Sequence, residues 1–263
     1  MDIHKPKAAH SVREFLTEIG TIICGILIAL GLEQAVEQLH WRHVVSEAKD
    51  GMSTEIGGLL GLAQARTETM NCVEGRLDQL ATLVDSAERT GRLTAYGPPG
   101  FPGTNGWSSG VWQSTVAGQV SAHLDRAELR AYTATYNFVS LIASDNRREV
   151  DVWTTLYGLA GPGRRFTPNE AAIYRQAIAE ARTLDISIAA TALRARQVSD
   201  AGRLNFDHEF YKQYHDGAVK VVRSSLCGPV PATTPSHYGA SPREGSVDMA
   251  RSNPITARGL GTR

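Results

Sequence analysis

From Ile19 to Leu32 the chain reads IGTIICGILIALGL, fourteen residues without one charged side chain. Such a run must leave water, and the question is whether it enters lipid or protein. At about 1.5 Å per residue it covers roughly 21 Å, less than the hydrocarbon layer of about 30 Å, so a crossing requires its extension to Phe15–Val36. The extension takes in Glu18 and Glu33, which sit near the ends of the apolar stretch where carboxylates reach the headgroups. Three readings compete. A core helix of a soluble protein fits the short run. A cleaved signal peptide would use Lys5, Lys7 and Arg13 as its basic region and Ala29-Leu30-Gly31 as a small-x-small site, but Glu14 and Glu18 interrupt that region. An uncleaved anchor fits best, because the helical pattern continues past Glu33 and Trp41 follows at interfacial distance. The expectation is a short cytoplasmic N-terminus over 1–14, a membrane anchor over 15–36 and an extramembrane region over 37–228.

Lys5, Lys7 and Arg13 precede the span, whereas Arg42 and Lys49 follow it, a slight bias that places the N-terminus in the cytoplasm. In a bacterium the rest of the chain then lies in the periplasm, on the inner membrane. Within the span Thr21, Gly25 and Ala29 recur every fourth residue, a small-residue face that allows a second helix to approach closely. The expected partners are therefore the lipid bilayer, a second copy through the anchor and helical seams, and an unidentified membrane or envelope protein. The string EIGTIICGILIALGLEQAVEQLHWRH, Glu18 to His43, resembles the N-terminus of a group of uncharacterised bacterial proteins with an acid-led GILIAL anchor followed by a helical extramembrane region. That resemblance covers about the first fifty residues, with a looser likeness around Trp112 and Tyr132 to Tyr136. It implies a single-pass inner-membrane protein and transfers no catalytic residue.

Beyond the anchor, apolar periodicity calls for long helices. Met52, Ile56, Leu59, Ala63, Arg66, Met70, Val73, Leu77, Leu80, Val84 and Ala87 follow an unbroken 4-3 spacing that only Arg66 violates. Gly51, Gly57, Gly58, Gly61 and Gly75 weaken this helix by up to about 1 kcal/mol each relative to Ala, so packing must hold it. Residues 97–110, GPPGFPGTNGWSSG, read as a long surface loop. A second helix is expected after Asp125, with Glu128 completing a capping box and a seam of Leu129, Tyr132, Tyr136, Val139, Ala143, Asn146, Val150, Trp153 and Tyr157. A third begins at Thr167-Pro168-Asn169-Glu170 and carries Tyr174, Ala177, Ala181, Leu184, Ile188, Thr191, Ala195 and Val198. A shorter one covers 207–224, and Val111 to Leu124 adds another. The fold class is thus all-α: one transmembrane helix, then an antiparallel or coiled-coil-like bundle. Residues 229–263 hold five of the eleven prolines and few large apolar residues, the composition of a disordered tail.

Chemistry is hard to find. Lys and Arg total 27 against 27 Asp and Glu, a balance that argues against nucleic-acid binding. His40 with His43, and His208 with His215, lack a third ligand at metal spacing. Gly106-Trp107-Ser108-Ser109-Gly110 matches the G-x-S-x-G elbow formally but has no strand before it. No catalytic residue, metal or cofactor is expected. Cys24 lies in the anchor, so Cys72 and Cys227 are the candidate disulfide pair in an oxidising compartment. Tyr132, Tyr136, Trp153 and Tyr157 form an aromatic stripe that either packs the core or lines a ligand pocket. Two functions follow: a non-enzymatic envelope scaffold, assembly or accessory factor, or a periplasmic ligand-sensing bundle that signals through a membrane partner.

Overall fold

A computed structural model describes residues 12–230 except 104–105, and the expectations for 1–11 and for the tail beyond Val230 lie outside the described residues. The chain is all-α. Its dominant element is α1, Val12–Thr90, an unbroken helix of 79 residues and therefore about 120 Å long. The apolar run and the 4-3 seam are parts of this one helix. Its first third stands alone, with Ile22, Ile26, Leu30 and Val36 all exposed, and the span is long and apolar enough to cross a membrane. From Met52 onward the same helix is the central member of a bundle.

The remaining helices are α2 (Gly110–Ala117), a 3-10 turn (Val120–His123), α3 (Arg126–Tyr157), α4 (Pro168–Ala201), α5 (His208–Val222) and a π-helical turn (Arg223–Cys227). Cross-contacts fix their directions. Lys49 pairs with Glu128 and Arg66 with Glu149, so α1 and α3 run parallel. Arg66 also pairs with Asp185, while Asp85, nineteen residues later, pairs with Arg175, so α4 runs antiparallel to both. At the end farthest from the apolar run, Arg92–Leu93 and Arg164–Arg165 form a two-residue antiparallel ladder that ties the end of α1 to the start of α4.

Starts are set by side-chain caps. Thr167 and Glu170 make the full reciprocal capping box at α4, and Asp207 accepts from the amides of Glu209 and Phe210 at α5. The expected box at α3 forms only by half. Asp125 accepts from the Ala127 amide, but Glu128 turns away to Lys49 because an inter-helix ion pair competes for its carboxylate.

Glycines in α1 serve α5. A Cβ at Gly57 would collide with the carbonyl oxygen of Asp207, and one at Gly61 with that of Tyr211, while the Tyr214 ring covers Gly58. Three small residues within two turns let the two backbones meet, which a hydrophobic seam of larger side chains would prevent. Gly61→Ala should therefore push α5 off α1 and cost about 1–3 kcal/mol despite its gain in helix propensity. Gly75→Ala, where nothing lies within 4 Å, should be neutral or stabilising, and thermal melts of the two variants read the contrast.

The 97–110 segment is irregular as expected, but over 97–103 it is a half-buried strap, and Gly106, Ser108 and Gly110 lie at the surface. Gly97, Pro99 and Pro102 are buried as the chain returns from the far end of α1 to α2. It takes the descending path that a helix between α1 and α3 would otherwise fill. Two features permit an irregular backbone there. Prolines carry no amide hydrogen to satisfy, and neighbouring side chains take up the carbonyls: Arg66 donates to Pro102, Asn146 to Gly103, and the Ser225 hydroxyl to Phe101. Gly100, with φ of 83°, lies against the Ser225 carbonyl, where a side chain would fit neither the torsion nor the space.

Candidate functional site

The densest polar chemistry lies at the one position that breaks the α1 seam. Arg66 is buried, and its Nη2 donates to Glu149 Oε1 at 2.6 Å and to Asp185 Oδ1 at 2.7 Å. Its Nη1 donates to the Pro102 carbonyl at 3.0 Å. Asn146, one turn before Glu149 on α3, donates to Glu149 Oε2 at 3.0 Å and to the Gly103 carbonyl at 3.1 Å. One guanidinium thus joins α1, α3, α4 and the strap. Each of the three helices supplies one charged member to the cluster, so they can settle in only one mutual register without leaving a charge unpaired.

The cluster is unbalanced in charge. Two carboxylates face one cation, and both are sealed from water, with Glu149 0% and Asp185 1% exposed. Asp185 is pushed up to about 6, first by burial and then by the charges of Glu149 and Glu74, against the pull of Arg66. Glu149 is also raised, mainly by burial, with Asp145 adding to it and Arg66 and Asn146 opposing. Asp185 Oδ2 and Arg66 Nε have no hydrogen-bond partner among the described residues. A proton on Asp185 removes the excess negative charge. The cluster is a buried lock between helices that takes up a proton as pH falls through about 6.

That assignment carries a pH dependence. The folded carboxyl titrates above its ordinary value near 3.9, so it favours the folded state when protonated, and this contribution is lost as pH rises through about 6. His215, held between Glu68 and Asp216, is raised as well and acts in the same direction. Asp185→Asn should hold stability at neutral pH and flatten the decline between about pH 4 and pH 6. Thermal midpoints of the detergent-solubilised chain across that range provide the check; an unchanged slope would show that Asp185 does not carry the titration, since His215 titrates above this window.

A second buried cation holds the C-terminal turn. Arg76 is 0% exposed and donates from Nη2 to the carbonyls of Leu226 at 3.2 Å and Gly228 at 2.7 Å, with Ser225 at the edge of range. These are carbonyls at the end of a helix, which carries partial negative charge. One turn before Arg76, Cys72 is joined to Cys227 in a disulfide with a Cα separation of 4.6 Å. Positions i and i+4 of α1 therefore hold the same turn, one covalently and one by hydrogen bonds. Cys24 is the free cysteine, exposed on the apolar span.

The aromatic stripe does not form one pocket. Tyr132 and Tyr136 belong to the core next to Met52 and Ile56, where Trp112 of α2 stacks on Tyr136 at 5.2 Å, 7° from parallel. Glu55 accepts from the Tyr136 hydroxyl at 2.7 Å and from the amides of Val111 and Trp112, tying the first turn of α2 to α1. Trp153 lies in the other core with Phe101 edge-on at 6.1 Å, and Tyr157 is 40% exposed. The surface groove between α3 and α4, bounded by Arg148, Val152, Ile173 and Glu180, includes none of the four. On the span Thr21, Gly25 and Ala29 are exposed, and Gly25 has nothing within 4 Å, so this face has no occupant among the described residues. No group of His, Cys, Asp and Glu able to hold a metal occurs among the described residues.

Arg66 showed itself in the sequence as a misfit, but its partners did not. In its second half the expected α3 seam matches the buried face at Asn146 and Trp153, but Ala143 and Val150 are half-buried and Tyr157 is exposed, while Ile142, Glu149 and Leu156 are buried in their place. A charged residue at heptad spacing opposite an unexplained arginine was the available signal. No family model, curated protein or solved structure matches this chain.

Proposed function

We propose that this chain is a non-enzymatic envelope protein of the bacterial inner membrane, a scaffold, assembly or accessory factor whose bundle stands in the periplasm on its own anchor. The observation that carries the reading is the continuity of α1. The apolar span and the central helix of the bundle are one helix, so a bundle fixed at one height and orientation above the bilayer follows without a flexible linker. The Cys72–Cys227 bridge supports the periplasmic side, because structural disulfides persist in oxidising compartments. The polar clusters serve register and locking, which suits a body that presents surfaces. Ligand sensing finds less support, since its four aromatics fall in two cores and at the surface.

Crosslinking in native membranes followed by purification tests the proposal. The full chain should capture a defined envelope protein in near-stoichiometric amount, and removal of residues 1–36 should abolish the capture. Recovery of the chain alone, or equal capture without the anchor, would contradict it.

A further inference from the structure

We infer that the corner formed by α2 and the 3-10 turn, Val116 to His123, rests on the bilayer surface as a second membrane contact beside the anchor. The inference builds on the membrane reading above and adds to it a surface, an occupant and a height. Trp41 lies five residues beyond Val36, about 7.5 Å along the helix axis, which is the outer part of the headgroup layer on that side. The His123 ring stacks on Trp41, with centroids 3.7 Å apart and planes at 15°. The corner is therefore at headgroup level by construction, because α1 has no joint between Val36 and Trp41.

The path of the chain makes this corner the lowest part of the bundle. Val111 sits beside Gly51 and Glu55 of α1, and α2 then runs back toward the span. The chain turns at Gly118 and Gln119, the latter with φ of 60°, and α3 climbs away through the Lys49–Glu128 and Glu55–Tyr136 contacts. Its chemistry suits an interface with lipid. Residues 93–122 contain no Asp, Glu, Lys, Arg or His, although the chain carries 54 such charges without counting histidine. Val116 is 48% exposed, and Ala117, Gly118, Gln119 and Ala122 are exposed around it. Arg42 follows Trp41 on α1 and Arg126 opens α3 three residues past His123, both exposed and suited to phosphates, with the exposed cap Asp125 beside the second. An exposed uncharged corner beside a membrane span is covered most simply by the membrane itself.

Fluorescence quenching on the full chain, reconstituted in phosphatidylethanolamine and phosphatidylglycerol vesicles, tests this. A dye is placed on Val116→Cys or Ala122→Cys in a Cys24→Ser background with the native disulfide intact, and on Ala172→Cys at the start of α4 as the distant control. Headgroup-labelled nitroxide lipid should remove roughly half of the emission at residues 116 and 122 and leave residue 172 unchanged, given the depth of that layer. Equal emission at all three sites would overturn the inference. A dye on native Cys24 separates the two levels of the argument. If acyl-chain nitroxide quenches it while residues 116 and 122 stay bright, the surface contact fails and the anchor stands; if Cys24 also stays bright, the anchor fails with it.

Discussion

Arg66→Met should lower the thermal midpoint of the bundle by on the order of 10 °C at neutral pH, the largest effect expected of any single side chain. The replacement is similar in length and apolar, so little is lost in packing. The loss comes from Glu149 and Asp185, which would remain sealed in the core without their shared cation. Removing one partner of a buried ion pair costs about 3–5 kcal/mol. Two further measurements separate this cause from a general packing defect. The deficit should shrink as pH falls toward about 6, because Asp185 without the Arg66 charge takes up its proton at higher pH than in the native chain. A triple variant, Arg66→Met with Glu149→Gln and Asp185→Leu, should recover most of the stability, since replacing a whole buried cluster is often neutral. A triple variant no more stable than the single would show that the strap, which uses Arg66 through Pro102, dominates instead.

Reduction of the Cys72–Cys227 bond is the second large effect. The bridge closes a sequence separation of 155 residues, for which chain entropy gives up to about 5 kcal/mol and typical measured values are about 2–4. Cys72→Ser should lower the midpoint on a similar scale and act locally as well. Arg76 lies one turn away and is covered by the carbonyls of the turn the bridge holds. Freeing that turn lets water reach a guanidinium that has no carboxylate among its hydrogen-bond partners. Hydrogen exchange should rise first over Arg223–Cys227 and the end of α5, before the α3 and α4 cores. Uniform loss of protection would mean that the bridge stabilises only through the unfolded chain.

Much of this architecture was legible because helices carry their period openly. Ten of the eleven α1 seam residues are buried, with Met70 half-buried, and Thr167 and Glu170 marked their helix start correctly. What escaped were features whose meaning depends on a partner distant in the chain. Gly57 and Gly61 looked like costs to a helix until Asp207 and Tyr211 came against them. Gly97 to Pro102 looked like surface because proline and glycine mark loops, and only the hydrogen bonds from Arg66, Asn146 and Ser225 allow such a segment inside. Glu149 and Asp185 carry no local sign of burial because a lone carboxylate belongs in water; each is buried through an arginine more than 80 residues away. Tyr132, Tyr136 and Trp153 of the aromatic stripe lie on the buried face, and Tyr157 falls off it because a 3-4 spacing drifts against the 3.6-residue turn along a long helix.

The most direct test of an anchored bundle facing an oxidising compartment is a thiol count on native membranes. Membranes are washed with alkaline carbonate, free thiols are alkylated under denaturing conditions without reductant, and the protein is analysed by mass. The expected result is a chain retained in the membrane with one alkylated cysteine, Cys24, and linked peptides containing Cys72 and Cys227. Three alkylated cysteines, or a chain released by the wash, would contradict it.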